Sequence, residues 1–142
     1  MGTKDALEQD MPAVPGMAPG TFVIEHQGAF IGIVRLDRRD STVPGHIRPE
    51  GNELEVSYLL LPQFWGRGYA SEAVRAVLDW AGESLPDRDV VICTQVANER
   101  SLRLAKRLGF TEAARFDLHG AAQWLGHLAI GSDRDHEQTQ RA

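Results

Sequence analysis

Between Glu53 and Val96 the chain changes its mode of burial twice, and few folds accommodate that change. Glu53–Leu61, ELEVSYLLL, begins by alternating apolar and polar residues and ends in a continuous apolar run. That is the pattern of a strand with one deeply buried end. Ala70, Ala73, Val74, Val77, Leu78, Ala81 and Leu85 then recur at helical spacing and give one apolar face, and Pro86 stops the helix. Val90–Val96, VVICTQV, is β-branched and apolar, a second buried strand. A strand–helix–strand unit of this kind is where a ligand crevice is expected.

The flanks extend the sheet. Thr21–His26 and Ala29–Asp37 read as two strands joined by a tight turn at Gln27–Gly28. Residues 38–52, RRDSTVPGHIRPEGN, are polar and rich in Pro and Gly, and predict a loop with freedom to move. Asn98–Leu108 predicts a second helix, with Gly109 as its C-cap glycine. Glu112–Leu118 and Trp124–Ile130 predict a final strand pair across HGAAQ. The element order is therefore β-β-β-α-β-α-β-β, an α/β or α+β domain around one mixed sheet. The predicted domain spans 21–130, between flexible tails at 1–20 and 131–142; the segment DALEQDM in the first tail has the pattern of one helical turn at most.

The turn LPQFWGRGYASEAV, Leu61–Val74, joins the first buried strand to its helix. A helix N-terminus carries unpartnered amides and partial positive charge, so an anion docks there if the backbone can come close. Gly66 and Gly68 remove the Cβ atoms that would block approach, and Arg67 between them adds a charged donor. A pyrophosphate nest over Gly66–Ser71 follows, against the alternative of a plain structural turn. Two nucleotide classes drop out. The P-loop pattern needs four residues between its glycines, and the dinucleotide fingerprint needs glycine where Ser71 stands. Asn98 and Ser101 lie at the start of the second helix, toward the same edge of the sheet; Asn98 reads equally as an N-cap, and Ser101 as a capping or packing serine.

Composition narrows the partners. A formal net charge of -5 disfavours nucleic acid as a general partner, so any anion must be held locally. No apolar run approaches the roughly 20 residues needed to cross a bilayer, and the N-terminal stretch lacks the apolar core of a signal peptide. One cysteine, Cys93, allows no internal disulfide and fits a reducing cytoplasm. It sits mid-strand with no basic neighbour in sequence, a core cysteine rather than a nucleophile. The histidines show no metal-ligand spacing, and Trp65 and Trp124 read as packing residues.

The order strand, Leu-Pro-x-x-Trp-Gly-Arg-Gly-Tyr-Ala, helix, strand, Asn-x-x-Ser, helix, Leu-Gly-Phe resembles the GNAT superfamily of acyl-CoA N-acyltransferases, in particular its RimJ/RimL-like branch. The carrying residues are Trp65, Gly66, Arg67, Gly68, Tyr69 and Ala70, then Asn98, Ser101, Gly109 and Phe110. The resemblance covers about Thr21 to Ile130 and implies a GNAT-like fold with splayed central strands, near Leu60 and Thr94. It implies acetyl-CoA as cosubstrate, no metal, and an amine acceptor, either a small molecule or a protein N-terminus. Backbone groups of Tyr58, Leu59 and Leu60 would pair with the pantetheine arm, amides of Arg67–Ser71 would hold the pyrophosphate, Asn98 would bond the pantetheine, and Ser101 would lie near the thioester sulfur.

Direct attack of a neutral amine needs a proton acceptor and a donor for the developing oxyanion. Glu55 stands where the family often carries a carboxylate and is the candidate base, against the alternative that Glu53 and Glu55 are ordinary solvent-facing strand residues. The family's usual tyrosine acid corresponds to Ala105, so the resemblance implies Ser101 as donor to the thiolate. Family members also begin with a strand and two helices before the hairpin, the helices walling the acceptor site, and the 20 residues before Thr21 carry no pattern for them. Hence two functions stand side by side: an acetyl-CoA-dependent N-acetyltransferase, or a non-catalytic acyl-CoA-binding or partner-binding module. A homodimer would cover a bare sheet face.

Overall fold

The computed structural model describes residues 7–12 and 20–131. Seven strands form one mixed sheet: β1 (Leu7–Pro12), β2 (Gly20–His26), β3 (Ala29–Arg38), β4 (Leu54–Leu60), β5 (Asp89–Gln95), β6 (Thr111–Leu118) and β7 (Ala121–Ala129). Their spatial order is β1-β2-β3-β4-β5-β7-β6. Two helices, α1 (Tyr69–Ser84) and α2 (Glu99–Arg107), follow β4 and β5. All pairings are antiparallel except β4 with β5, which is parallel.

The expected order holds from β2 onward, and one strand is added. Leu7–Pro12, assigned from sequence to a tail with at most a helical turn, pairs antiparallel with β2. Its polar-apolar mixture lacks strand character by itself; the free edge of β2 supplies the ladder. A strand therefore precedes β2 where the sequence offered none. The assigned tail over 132–142 lies outside the described residues.

Each helix ends as its sequence dictates. In α1, Ala73, Val74, Val77, Leu78 and Ala81 are buried, the face anticipated from spacing. The end of α2 closes with a Schellman pair, Phe110 N–H to the Ala105 carbonyl and Gly109 N–H to that of Lys106, each 3.0 Å. Gly109 has φ 105°, which glycine adopts without penalty. These helix faces join Leu54, Val56, Leu60, Val90, Ile92 and Trp124 in a single core. The last hairpin is tighter than HGAAQ implied: β6 and β7 are joined by His119 and Gly120 alone, both with positive φ, as a primed two-residue turn requires.

Residues 39–52 do not swing free. Arg39 is buried and donates to the carbonyls of Pro44 and Gly45, both at 2.7 Å. Glu53, fully buried rather than solvent-facing, accepts from the Ile47 amide at 2.7 Å and the Arg48 amide at 3.3 Å, and meets His46 Nδ1 at 2.9 Å. Arg38 pairs with Asp87 through two bonds of 2.6 and 2.9 Å. Two buried charges thus pin a segment whose Pro and Gly content alone implied motion. The loop covers the sheet face opposite the helices, where Gly45 packs against the Phe116 ring.

Candidate functional site: a strand fork facing two helix starts

Strands β4 and β5 meet at one register position only, Glu55 opposite Val91. Beyond it they part, and a cavity of about 910 Å³ opens between Ser57–Leu60 on one side and Ile92–Gln95 on the other. The starts of α1 and α2 close its ends, with Gly66, Gly68, Asn98 and Ser101 in the lining. Leu60 and Thr94 stand on opposite walls, as the expected splay demands.

The parted edge of β4 is free to bond. On its other side β4 is paired with β3 throughout, from Leu54 to Leu60. The Leu61 amide donates to Ile31 and the Glu53 carbonyl accepts from Arg39, both at 2.8 Å. Backbone groups alternate sides with period two, so odd-numbered residues address β3 and even-numbered ones address the fork. Tyr58 and Leu60 therefore direct backbone groups to the cavity, while Leu59 does not. One lone pair of the Leu60 carbonyl is already taken by Trp65 Nε1 at 2.8 Å. Trp65, 47% exposed, is thus a clamp on the turn rather than a core residue.

At the mouth of α1, Gly66 and Gly68 have φ 76° and 86°. A Cβ on Gly68 would meet nothing within 4 Å, and one on Gly66 would meet only Arg100 Nη1, at 3.9 Å. The first intrahelical bond runs from the Glu72 amide to the Gly68 carbonyl at 3.0 Å, and no side chain caps the helix. The amides of Tyr69, Ala70 and Ser71 precede that bond and point out of the helix. The side chain of Tyr69 turns away, bonding His26 Nε2 at 3.2 Å and packing edge-on to Phe64. It fixes where the helix begins.

Positive charge gathers here although the whole chain is acidic. Arg67 lies over the Phe64 ring at 5.8 Å, and Arg100 over Trp65 at 5.0 Å. Arg107 donates to Ser71 Oγ at 3.0 Å. Arg100, Arg103 and Arg107, at i, i+3 and i+7 of α2, all line the cavity. The sequence reading passed over this stripe; its helical spacing opposite a glycine turn was the available signal.

Asn98 is the N-cap of α2, its Oδ1 accepting from the Ser101 amide at 3.2 Å. The capping alternative holds, and Asn98 also lines the cavity. Ser101 Oγ accepts from the Tyr58 hydroxyl at 3.2 Å, and both residues line the cavity. Ala105 is fully buried in the core.

Glu55 sits at the join of the fork, outside the cavity lining, paired with Arg39 at 3.1 Å. Burial raises its pKa, against the pull of Arg39. Cys93 does line the cavity, a correction to its reading as a core residue. Its thiol is raised by burial above its ordinary value, with Arg39 opposing, which favours the protonated form over a nucleophilic thiolate. Among the described residues no group of three His, Cys, Asp or Glu side chains could hold a metal.

A glycine-opened helix mouth beside a strand fork is the arrangement that the GNAT resemblance implied, and the family comparison gives the same class of fold. The chain belongs to the GNAT acetyltransferases: residues 4–111 match the family described as "Acetyltransferase (GNAT) domain". It is 28% identical over 90 residues to the putative ribosomal N-acetyltransferase YdaF of Bacillus subtilis, covering 63% of this chain and 45% of that protein. It is 31% identical over 107 residues to FsC-acetyl coenzyme A-N(2)-transacetylase of Aspergillus fumigatus, covering 73% and 43%. The chain thus spans less than half the length of these relatives. Among solved structures, a putative GNAT-family acetyltransferase from Bordetella pertussis superposes with a TM-score of 0.67 at 28% identity, over 76% of this chain and 64% of that one.

Proposed function

We propose that this domain binds acetyl-CoA in the fork and transfers the acetyl group to a primary amine by direct attack. The observation that carries the reading is the meeting of an unpaired strand edge, uncapped helix amides and an arginine stripe around one cavity. The amides of Arg67–Ser71 fit a pyrophosphate, and Arg67, Arg100 and Arg107 fit its charge. Backbone groups of Tyr58 and Leu60 fit the amides of a pantetheine arm laid along β4, with the Asn98 amide nitrogen as a further donor.

When bound, the cosubstrate supplies an activated thioester; the chain supplies position and proton traffic. Glu55, with its raised pKa, is the proposed base, reached from the acceptor through water. Ser101 is the proposed donor to the departing thiolate. The acceptor is a primary amine, from a small molecule or a protein N-terminus. The cytoplasm is the proposed compartment, where Cys93 stays a thiol. Val23, Ile33 and Leu59 form a cross-strand apolar row on the sheet face opposite the helices, with Leu59 67% exposed, and this row supports the homodimer reading.

A second reading, a non-catalytic acyl-CoA-binding module, is favoured by the buried Ala105 at the position of the usual acid and by the Arg39 pairing of Glu55. Incubation with acetyl-CoA and a panel of amines and peptide N-termini, following free thiol, separates the two. Amine-dependent thiol release is expected. Saturable CoA binding without release across the panel would assign the second reading.

A further inference from the structure

The hydroxyl pair inside the fork has a chemical consequence. Ser101 is held from two sides, its amide by Asn98 Oδ1 at 3.2 Å and its Oγ by the Tyr58 hydroxyl at 3.2 Å. Because Tyr58 donates, the Ser101 oxygen is an acceptor in this pair and its own hydrogen is free to turn into the cavity. Both side chains line that cavity. Tyr58 comes from β4 and Ser101 from α2, so the contact also ties one wall of the fork to the helix start that closes its end.

An isolated serine is a poor proton donor to a thiolate, since an alkoxide is a far stronger base than the thiolate it would replace. A phenol behind the serine removes that obstacle, because the charge comes to rest on the aromatic oxygen. We propose that Tyr58 is a positioning residue that makes Ser101 an effective donor to the sulfur of CoA. This inference rests on the acetyl-CoA reading above. In the transfer step the amine nitrogen bonds the carbonyl carbon and the carbon–sulfur bond breaks. The thiolate takes the Ser101 proton, Ser101 takes that of Tyr58, and Tyr58 is reprotonated from solvent. The proton lost by the amine leaves by the base side, so atoms and charge balance.

The same pair acts on bound CoA without any acceptor, which gives a test independent of turnover. In the binary complex, the thiol of CoA is titrated through the ultraviolet absorption of its thiolate. Wild-type protein should lower the thiol's ionisation below that of free CoA titrated under the same conditions. Tyr58→Phe keeps the ring and backbone and should move the ionisation back up by about one pH unit, the scale of a charge-assisted hydrogen bond. Ser101→Ala should move it at least as far, and the double variant no further than Ser101→Ala. A Tyr58→Phe curve that overlays wild type would overturn the inference while leaving the acetyl-CoA reading intact. Additive shifts in the double variant would also overturn it, since they mean that the two hydroxyls act separately. Failure of wild-type protein to bind CoA would overturn both. Melting curves of each variant, with and without CoA, separate loss of folding from loss of the pair.

Discussion

Glu53 and His46 show how much a single pair can decide. His46 faces two acceptors, Glu53 Oε1 at 2.9 Å and the Val43 carbonyl at 2.6 Å, so both ring nitrogens are served only when the ring is protonated. The bond to Glu53 raises the His46 pKa above its ordinary value. Burial pulls the Glu53 pKa up, but His46 and the Ile47 and Arg48 amides outweigh it and hold it low. The signs follow. The contribution of His46 is complete below the free imidazole value of about 6.5 and is lost as pH rises through its higher folded value. That of Glu53 is complete above the free carboxyl value of about 4.3 and is lost as pH falls through its lower folded value. Wild-type Tm should therefore fall as pH rises from about 6 to about 9, and His46→Asn should lack that fall. Parallel Tm–pH curves would contradict the assignment. Gly68 gives a second residue-scale prediction. Its φ of 86° makes Gly68→Ala and Gly68→Glu cost similar stability, about 1–2 kcal/mol by denaturant unfolding. Only the glutamate should lower CoA affinity by more than about 100-fold, because it sets a carboxylate among the open amides. Equal affinity of the two variants would mean that the anion docks elsewhere. Glycines were legible in the sequence because they have one physical use at a helix mouth. Glu53 was not, because alternation alone cannot say that a loop folds over its face.

At the scale of elements, periodic segments were legible and borrowed ones were not. α1 and α2 carry their own apolar faces, α2 its own Asn98 cap as well, and the structure has them within a residue or two of the expected bounds. β1 has no pattern of its own and exists through the edge of β2. The loop over 39–52 is ordered by Arg39 and Glu53, which lie at its ends rather than in its Pro- and Gly-rich middle. Its contact with the sheet is tight: a Cβ on Gly45 would lie 2.1 Å from the Phe116 ring, and φ is 85°. Gly45→Ala should destabilise the fold by about 2–4 kcal/mol in denaturant unfolding, from the clash and the left-handed backbone together. A loss below about 0.5 kcal/mol would show that the loop is not packed as described. The arginine stripe of α2 belongs to this scale too. Removing Arg100 and Arg107 together should weaken CoA binding about tenfold at low ionic strength and flatten its salt dependence, read by calorimetry at several salt concentrations. An unchanged salt slope would exclude the stripe from the phosphate site.

For the whole molecule, the organising fact is that the sheet is divided at one place. Each of its seven strands pairs along its length with at least one neighbour, yet β4 and β5 share a single bridge, and the arginines of an acidic chain gather beside the gap. The fork itself was legible only through resemblance, because no residue pattern in β4 or β5 announces that two buried strands will part. The nest, by contrast, followed from elementary arguments about amides and Cβ atoms, and the open mouth of α1 agrees with them. The surroundings of the residues proposed for catalysis were the least legible. Glu55 pairs with Arg39 from the end of the neighbouring strand, and the Tyr58–Ser101 contact joins two elements that sequence places far apart. The most direct test of the account is a titration of isotopically labelled protein with CoA, followed by amide chemical shifts. The account predicts saturable one-to-one binding, with the largest shifts at Gly66–Ser71, at Tyr58 and Leu60, and at Asn98–Ser101. Saturation with those amides unmoved, or no saturable binding, would contradict it.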